Sequence, residues 1–229
     1  MRRILALVLL WSPSVWAGPV IIDGTDSNDH GFCSPPCSGE PCTAVCTSGD
    51  TNEEGWLYIQ KVLERLSEQV SPSVTKVVVN LGATATSRAY GAIHSAFNLS
   101  SLPGNGWTIT DVDGATAIDT WLTNLSTGNT GILAIPSAGL TNGDATCEEI
   151  KSIDARATEI SNFVAGSGDA TQGGAVFALG DVRTPASCAG RTSVFQWLVT
   201  LIPALTITNL GGAGSGTNMC LTAEGETAF

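Results

Sequence analysis

Apolar and polar positions along the chain follow two periods. Over residues 53–70, EEGWLYIQKVLERLSEQV, apolar side chains at Trp56, Ile59, Val62, Leu63, Leu66 and Val70 mark one face of a helix. Glu53 and Glu54 fall in its expected first turn, where the helix dipole favours acids, and Pro72 closes it. The same spacing predicts helices over 85–98, 114–126 and 148–168. The last of these presents Ile150, Ile153, Ala157, Ile160, Phe163 and Val164 and ends at Gly166. A short apolar helix is expected over 192–203, stopped by Pro203. Between these segments stand uninterrupted apolar or β-branched runs: PVIID (19–23), SVTKVVVNLG (73–82), GILAIP (131–136), GGAVFALGD (173–181) and ALTITN (204–209), with GWTITDVDG (106–114) alternating. Strands that alternate with helices and are apolar on both faces predict a mostly parallel sheet covered on each side. The expected fold is α/β, a flavodoxin-like three-layer sandwich.

The N-terminus changes the picture of where this fold works. MRRILALVLLWSPSVWAG has a basic start, an apolar run broken by Ser12-Pro13, and Val15 and Ala17 at the −3 and −1 positions of a cleavage site. This reads as a signal peptide over 1–17 and a secreted or periplasmic product, with a single domain over 18–229 and no membrane span. Losing Arg2 and Arg3 from the 10 basic residues leaves 8 against 21 acidic ones, a net charge of −13. Such a chain repels phosphate backbones, which argues against nucleic acid as a partner. The closing LTAEGETAF reads as the start of an element continuing beyond residue 229.

Seven cysteines agree with export. Cys33, Cys37, Cys42 and Cys46 crowd a Pro- and Gly-rich stretch that reads as an inserted surface loop over residues 30–50. Their x3, x4 and x3 spacings suit two local disulfides better than the tighter pairs of zinc sites, and three connectivities are open. Cys147 and Cys188 can pair, leaving Cys220 odd.

In open parallel sheets, ligands sit outside the carboxyl ends of the strands. The candidates there are Asp23, Thr25, Asp26, Asn80, Ser137, Asp181 and Arg183, with Gly82, Asp111 and Asp113 beside them. Asp23, Asp26 and Asp181 could converge on a calcium or magnesium ion, against the reading that they are turn aspartates bonded to their own backbone. Asp26, Asn28 and Gly31 stand at calcium-loop offsets, but Cys37 occupies the position of the closing glutamate. Ser137 as a nucleophile needs a base; the chain has His30 and His94 alone, and Ile135 replaces the first glycine of a nucleophile elbow. Trp56, Trp107, Trp121 and Trp197 offer faces on which sugars stack, although Trp56, Trp121 and Trp197 lie on apolar helix faces where core packing is the ordinary role. No cofactor motif is present.

The run ILAIPSAGLTNGDATCEEIKSIDARATEISNFVAGSGDATQGGAVFALGD resembles the class I glutamine amidotransferase-like and ThuA-like superfamily in its order of strand, helix and glycine-led strand. The front half is similar to secreted bacterial relatives of that group. The resemblance implies the flavodoxin-like fold. In the family a nucleophilic cysteine stands at a tight turn after a strand; here Leu179, Gly180 and Asp181 hold that place, and Cys188 lies seven residues beyond. The expectation is therefore a non-catalytic binding or surface module, its ligand a saccharide or a divalent cation. The alternative is an extracellular hydrolase of sugar or amide bonds that uses Asp23, Asp26 or Asp181 as acid, base or metal ligand, with Ser137 as a further catalytic candidate.

Overall fold

A computed structural model describes residues 17–23, 26–139, 142–166, 173–181, 183 and 187–202. Residues 1–16 of the expected signal peptide, Thr25, the expected strand over 204–209 and Cys220 lie outside the described residues. The chain runs β1 (Val20–Ile22), β2 (Gly31–Ser34), β3 (Thr51–Glu54), α1 (Gly55–Gln69), β4 (Val77–Leu81), α2 (Arg88–Leu99), β5 (Thr108–Val112), α3 (Ala115–Thr123), β6 (Ile132–Ile135), α4 (Cys147–Ala155), α5 (Ala157–Ala165), β7 (Ala175–Ala178) and α6 (Leu198–Leu201).

The apolar runs pair as a five-stranded sheet in the order β1-β7-β6-β4-β5, every pair parallel. The expected α/β three-layer sandwich is the observed architecture. Parallel pairing demands crossovers, and these place helices on both faces. Side chains alternate across the sheet accordingly. Ile132, Ala134, Ala175 and Phe177 join Trp56, Ile59, Leu63 and Leu66 of α1 and Ile93 and Phe97 of α2 in one apolar layer. Leu133, Ile135, Val176 and Ala178 join Ile118 and Leu122 of α3 with Ile150, Ile153, Ile160 and Phe163 in the other. Gly174 precedes β7 because the Phe163 ring fills the space a Cβ would need.

From β4 the chain steps outward to β5 and then returns to the opposite side for β6 and β7. The order therefore reverses between β4 and β6, and their carboxyl ends flank a crevice.

Four expectations are revised. Glu53 and Glu54 are not in the first turn of α1; they pair with Phe32 and Gly31 in an antiparallel β2–β3 hairpin, so the helix begins at Gly55. The cysteine-rich segment is more than a surface loop. Cys33, Cys42 and Cys46 are buried in the α1–α2 layer, bridged as Cys33–Cys46 and Cys37–Cys42. Ser95 of α2 fastens the segment by accepting from the Cys46 N–H at 2.9 Å. The helix over 148–168 breaks at Arg156, whose guanidinium is held in a two-point grip by Asp119 of α3 at 2.7 and 3.0 Å. The helix over 192–203 shrinks to α6. The N–H groups of Phe195 and Trp197 are taken by the carboxylates of Asp181 and Asp154, and Phe195 adopts φ 46°. Cys147 and Cys188 are bridged, with Cα atoms 5.5 Å apart.

Phe177 is fully buried at the sheet centre, edge-on to Tyr58 at 6.4 Å between ring centroids. Phe177→Ala should lower the unfolding free energy by about 3–5 kcal/mol in urea titrations, the range for emptying a buried aromatic site. Val20→Ala on the half-buried edge strand should cost far less.

Candidate functional site

The carboxyl ends of the strands carry three polar constellations. The first is built by the turn that follows β1. Asp23 leaves the strand bonded through its N–H to the Ala178 carbonyl, and its Oδ2 accepts from the Ser27 hydroxyl at 2.9 Å. The turn then folds inward and buries Asn28 completely. The Asn28 amide donates to Asp144 Oδ1 at 2.8 Å and to Asp29 Oδ1 at 3.2 Å, while its Oδ1 accepts from the Ser137 N–H at 3.0 Å. The Asn28 main-chain carbonyl accepts from the Trp56 indole at 3.1 Å. Asn142 donates to Asp29 Oδ2 at 2.6 Å, and an Arg88 Nη2–H donates to the Asp29 carbonyl. Carboxylate oxygens of Asp26, Asp29 and Asp144 thereby lie within 4.8 Å of one another, with Asp29 and Asp144 buried and Asp26 half-buried.

Like charges so close cannot all ionise freely. Burial, then the Asp29 and Asp26 charges, push Asp144 up to about 8 against the pull of Asn28 and Arg183. Burial raises Asp29 to about 6; the Asn142 hydrogen bond opposes this, Asp26 adds to it, and Arg88 and His30 oppose it weakly. Asp144 Oδ2 and Asp26 Oδ1 are buried without a hydrogen-bond partner.

The second constellation closes a different acid. Asp181 Oδ1 accepts from the Arg183 N–H and from Arg191 at 2.9 Å each, and Oδ2 accepts from the Phe195 N–H at 2.7 Å. Arg191, 4% exposed, also grips Asp154 of α4 at 2.7 Å. The Arg183 side chain points elsewhere, donating to the Ala145 carbonyl at 3.3 Å. Asp181 is thus a structural counter-ion, and Arg183 reaches it through its main-chain N–H. Among the described residues, the acids that meet in metal-ligand geometry are Asp26, Asp29 and Asp144, not Asp23, Asp26 and Asp181.

The third lies at the ends of β4 and β5. Asn80 donates to Asp111 Oδ1 at 2.8 Å, and His94 Nε2 meets Asp111 at 2.9 Å while stacking on Tyr90 at 3.9 Å. Burial would raise Asp111, but the His94 and Asn80 hydrogen bonds outweigh it and hold the acid below its ordinary range. Beyond it, Asp113 is raised by burial and by its hydrogen bond to Glu149. Glu149 itself is held low despite burial, because the Thr146 and Gly114 N–H groups donate to it at 2.6 and 2.7 Å. An open groove of about 810 Å³ runs from these acids along α3, bounded by Asp111, Asp113, Thr116, Trp121, Asn124 and Asn129.

Ser137 is buried and bonded to neither histidine, so the serine-nucleophile arrangement is not assembled. Of the strand-end candidates, the structure unites Asp26 with two acids the strand-end rule passed over, Asp29 and Asp144. Asp144 belongs to the Asn142-Gly143-Asp144 turn that folds back from β6 seven residues beyond Ser137; its turn chemistry was the one available signal. Comparison with protein families, curated proteins and solved structures finds no match to this chain.

A carboxyl raised in the folded state stabilises the fold most below its unfolded value near 3.8, and that contribution is lost as pH rises through the folded value. In chelator-treated buffer, urea midpoints should therefore fall as pH climbs through about 6 and about 8. Asp144→Asn should flatten the upper part of that decline.

Proposed function

We propose that this chain is an exported binding module of glutamine amidotransferase-like ancestry that holds a saccharide in the groove at the end of β5. The observation that carries the reading is the groove's lining. Trp121 contributes a half-buried aromatic face among Thr116, Asn124, Asn129, Asp111 and Asp113, the combination of apolar platform and fixed hydrogen-bonding groups that sugar rings require. Trp121 is oriented by its indole bond to the Thr130 hydroxyl at 3.2 Å. Three bridged cysteine pairs fit an oxidising compartment, and no helix among the described residues is long and apolar enough to cross a membrane.

Among the described residues, the place of the amidotransferase nucleophile holds no cysteine. At the end of β7 the acid in the nucleophile's place, Asp181, is sealed by Arg191. Cys188, the nearest cysteine, is spent in the bridge to Cys147. The hydrolase alternative, which drew on Asp23, Asp26 and Asp181, finds Asp181 held in the same network, and a further carboxyl pair beside the groove is no better placed. Asp113 and Glu149 are in hydrogen-bond contact, closer than the separations of roughly 5 Å or more that glycoside hydrolysis needs, and each Glu149 oxygen accepts a main-chain N–H.

The mature chain, residues 18–229, should be retained on at least one member of a panel of insoluble polysaccharides. Trp121→Ala should weaken that retention about tenfold, the worth of one lost stacking contact, with an unchanged melting temperature within a few degrees. Turnover of glutamine or glycoside substrates, or retention indifferent to Trp121→Ala, would refute the reading.

A further inference from the structure

We infer that Asp26, Asp29 and Asp144 form a calcium site at the carboxyl end of the sheet, separate from the groove on α3. Three observations converge. The first is geometric: the three acids come from two segments far apart in sequence, and their ligand oxygens stand within 4.8 Å of one another. Calcium–oxygen bonds of about 2.3–2.6 Å let two ligands of one ion stand up to roughly 5.2 Å apart, so oxygens within 4.8 Å of one another are compatible with one calcium shell. Calcium also accepts an irregular shell rich in carboxylates, whereas magnesium, with bonds near about 2.1 Å, demands a strict octahedron and gives up its waters reluctantly.

The second is an unmet valence. Asp144 is 5% exposed, and its Oδ2 has no hydrogen-bond partner; Asp26 Oδ1 is in the same state. A buried carboxylate oxygen without a donor, on an acid clustered with two others, is costly, and a proton or a cation resolves it. Gly139 faces Asp144 Oδ2 so closely that a Cβ there would collide with it, which keeps that side of the acid clear of side chains.

The third is that the nearby positive groups are committed elsewhere. Arg88 Nη2 donates to the Asp29 main-chain carbonyl and lies 3.3 Å from Glu40, and His30 lies 3.5 Å from Glu40. Arg183 donates to the Ala145 carbonyl. None of these makes a hydrogen bond to a carboxylate of the three. The amide donors that do reach the acids, Asn28 and Asn142, are neutral; they orient Asp29 and Asp144 and supply no opposing charge. Asp26 is half-buried, so the solvent side is open for the waters that complete a six- to eight-fold shell. The sequence hint of a calcium loop is realised in one residue alone: Asp26 takes part, Asn28 acts as a brace, and Gly31 opens β2.

The test is isothermal titration of calcium chloride, then magnesium chloride, into the chelator-treated mature chain at roughly neutral pH, with melting curves in parallel. One calcium should bind, at least tenfold more tightly than magnesium, and raise the melting temperature. Asp144→Asn and the more accessible Asp26→Asn should each weaken calcium at least tenfold, while far-UV circular dichroism in chelator stays that of the parent. Trp121→Ala should bind calcium as the parent does. No calcium heat in the parent would overturn the site and leave proton sharing as what holds the acids together. Binding unaffected by both aspartate variants, or magnesium bound as tightly, would overturn the assignment to these residues or to calcium. Polysaccharide retention is read separately, so either proposal can fail while the other stands.

Discussion

The buried carboxamide of Asn28 is the joint on which the strand-end architecture depends. It engages two acids and one main-chain N–H from three different places: its own turn, the exit of β6 and the loop that folds back to α4. Its main-chain carbonyl takes the Trp56 indole, which ties the same turn to the core face of α1. A buried amide with its groups engaged is stable; with one partner removed, the remainder is left unpaired in an apolar setting. The turn after β1 therefore has a single well-satisfied placement, and that placement carries Asp26 and Asp29 toward Asp144.

The molecule treats its buried acids in two ways, and the contrast separates scaffold from site. Asp154 and Asp181 share Arg191, whose charge and planar fork meet both carboxylates, and the leftover lone pairs accept the Phe195 and Trp197 N–H groups. That network is closed, and it fixes the segment after β7 against α4. Asp29 and Asp144 receive neutral amides instead and keep their mutual repulsion. A chain that folds with repelling acids sealed against one another needs a positive partner or a proton at that spot. The groove along α3 is different again: open, amphipathic and lined by groups already held by local hydrogen bonds, such as Asn124 to the Thr120 carbonyl.

Much of the fold was legible because it rests on local periodicity. ILAI and AVFA are apolar at every position and VVVNL at all but Asn80, and that demands a sheet covered on both faces. What escaped was set by distant partners. The break at Arg156 leaves the helical period of 148–165 intact and becomes visible once Asp119 is known to hold its guanidinium. Glu53 and Glu54 read as helix-starting acids until the β2–β3 pairing claims them. The candidate site was half legible: Asp26 follows β1 as the strand-end rule requires, but Asp144 reaches the crevice from a returning loop whose length no periodic pattern encodes. Asp181 satisfied the same rule and proved to be a counter-ion, since Arg191, ten residues on, carries no signal of its destination.

The most direct measurement of the central claim is a crystal structure of the protein grown with calcium, with anomalous differences collected where calcium scatters. The account predicts one strong anomalous peak within about 2.6 Å of oxygens from Asp26, Asp29 and Asp144, beside an Asn28 amide bonded to Asp144 and to the Ser137 N–H. An Asn28 side chain turned to solvent, with the three carboxylates dispersed and no peak between them, would contradict it.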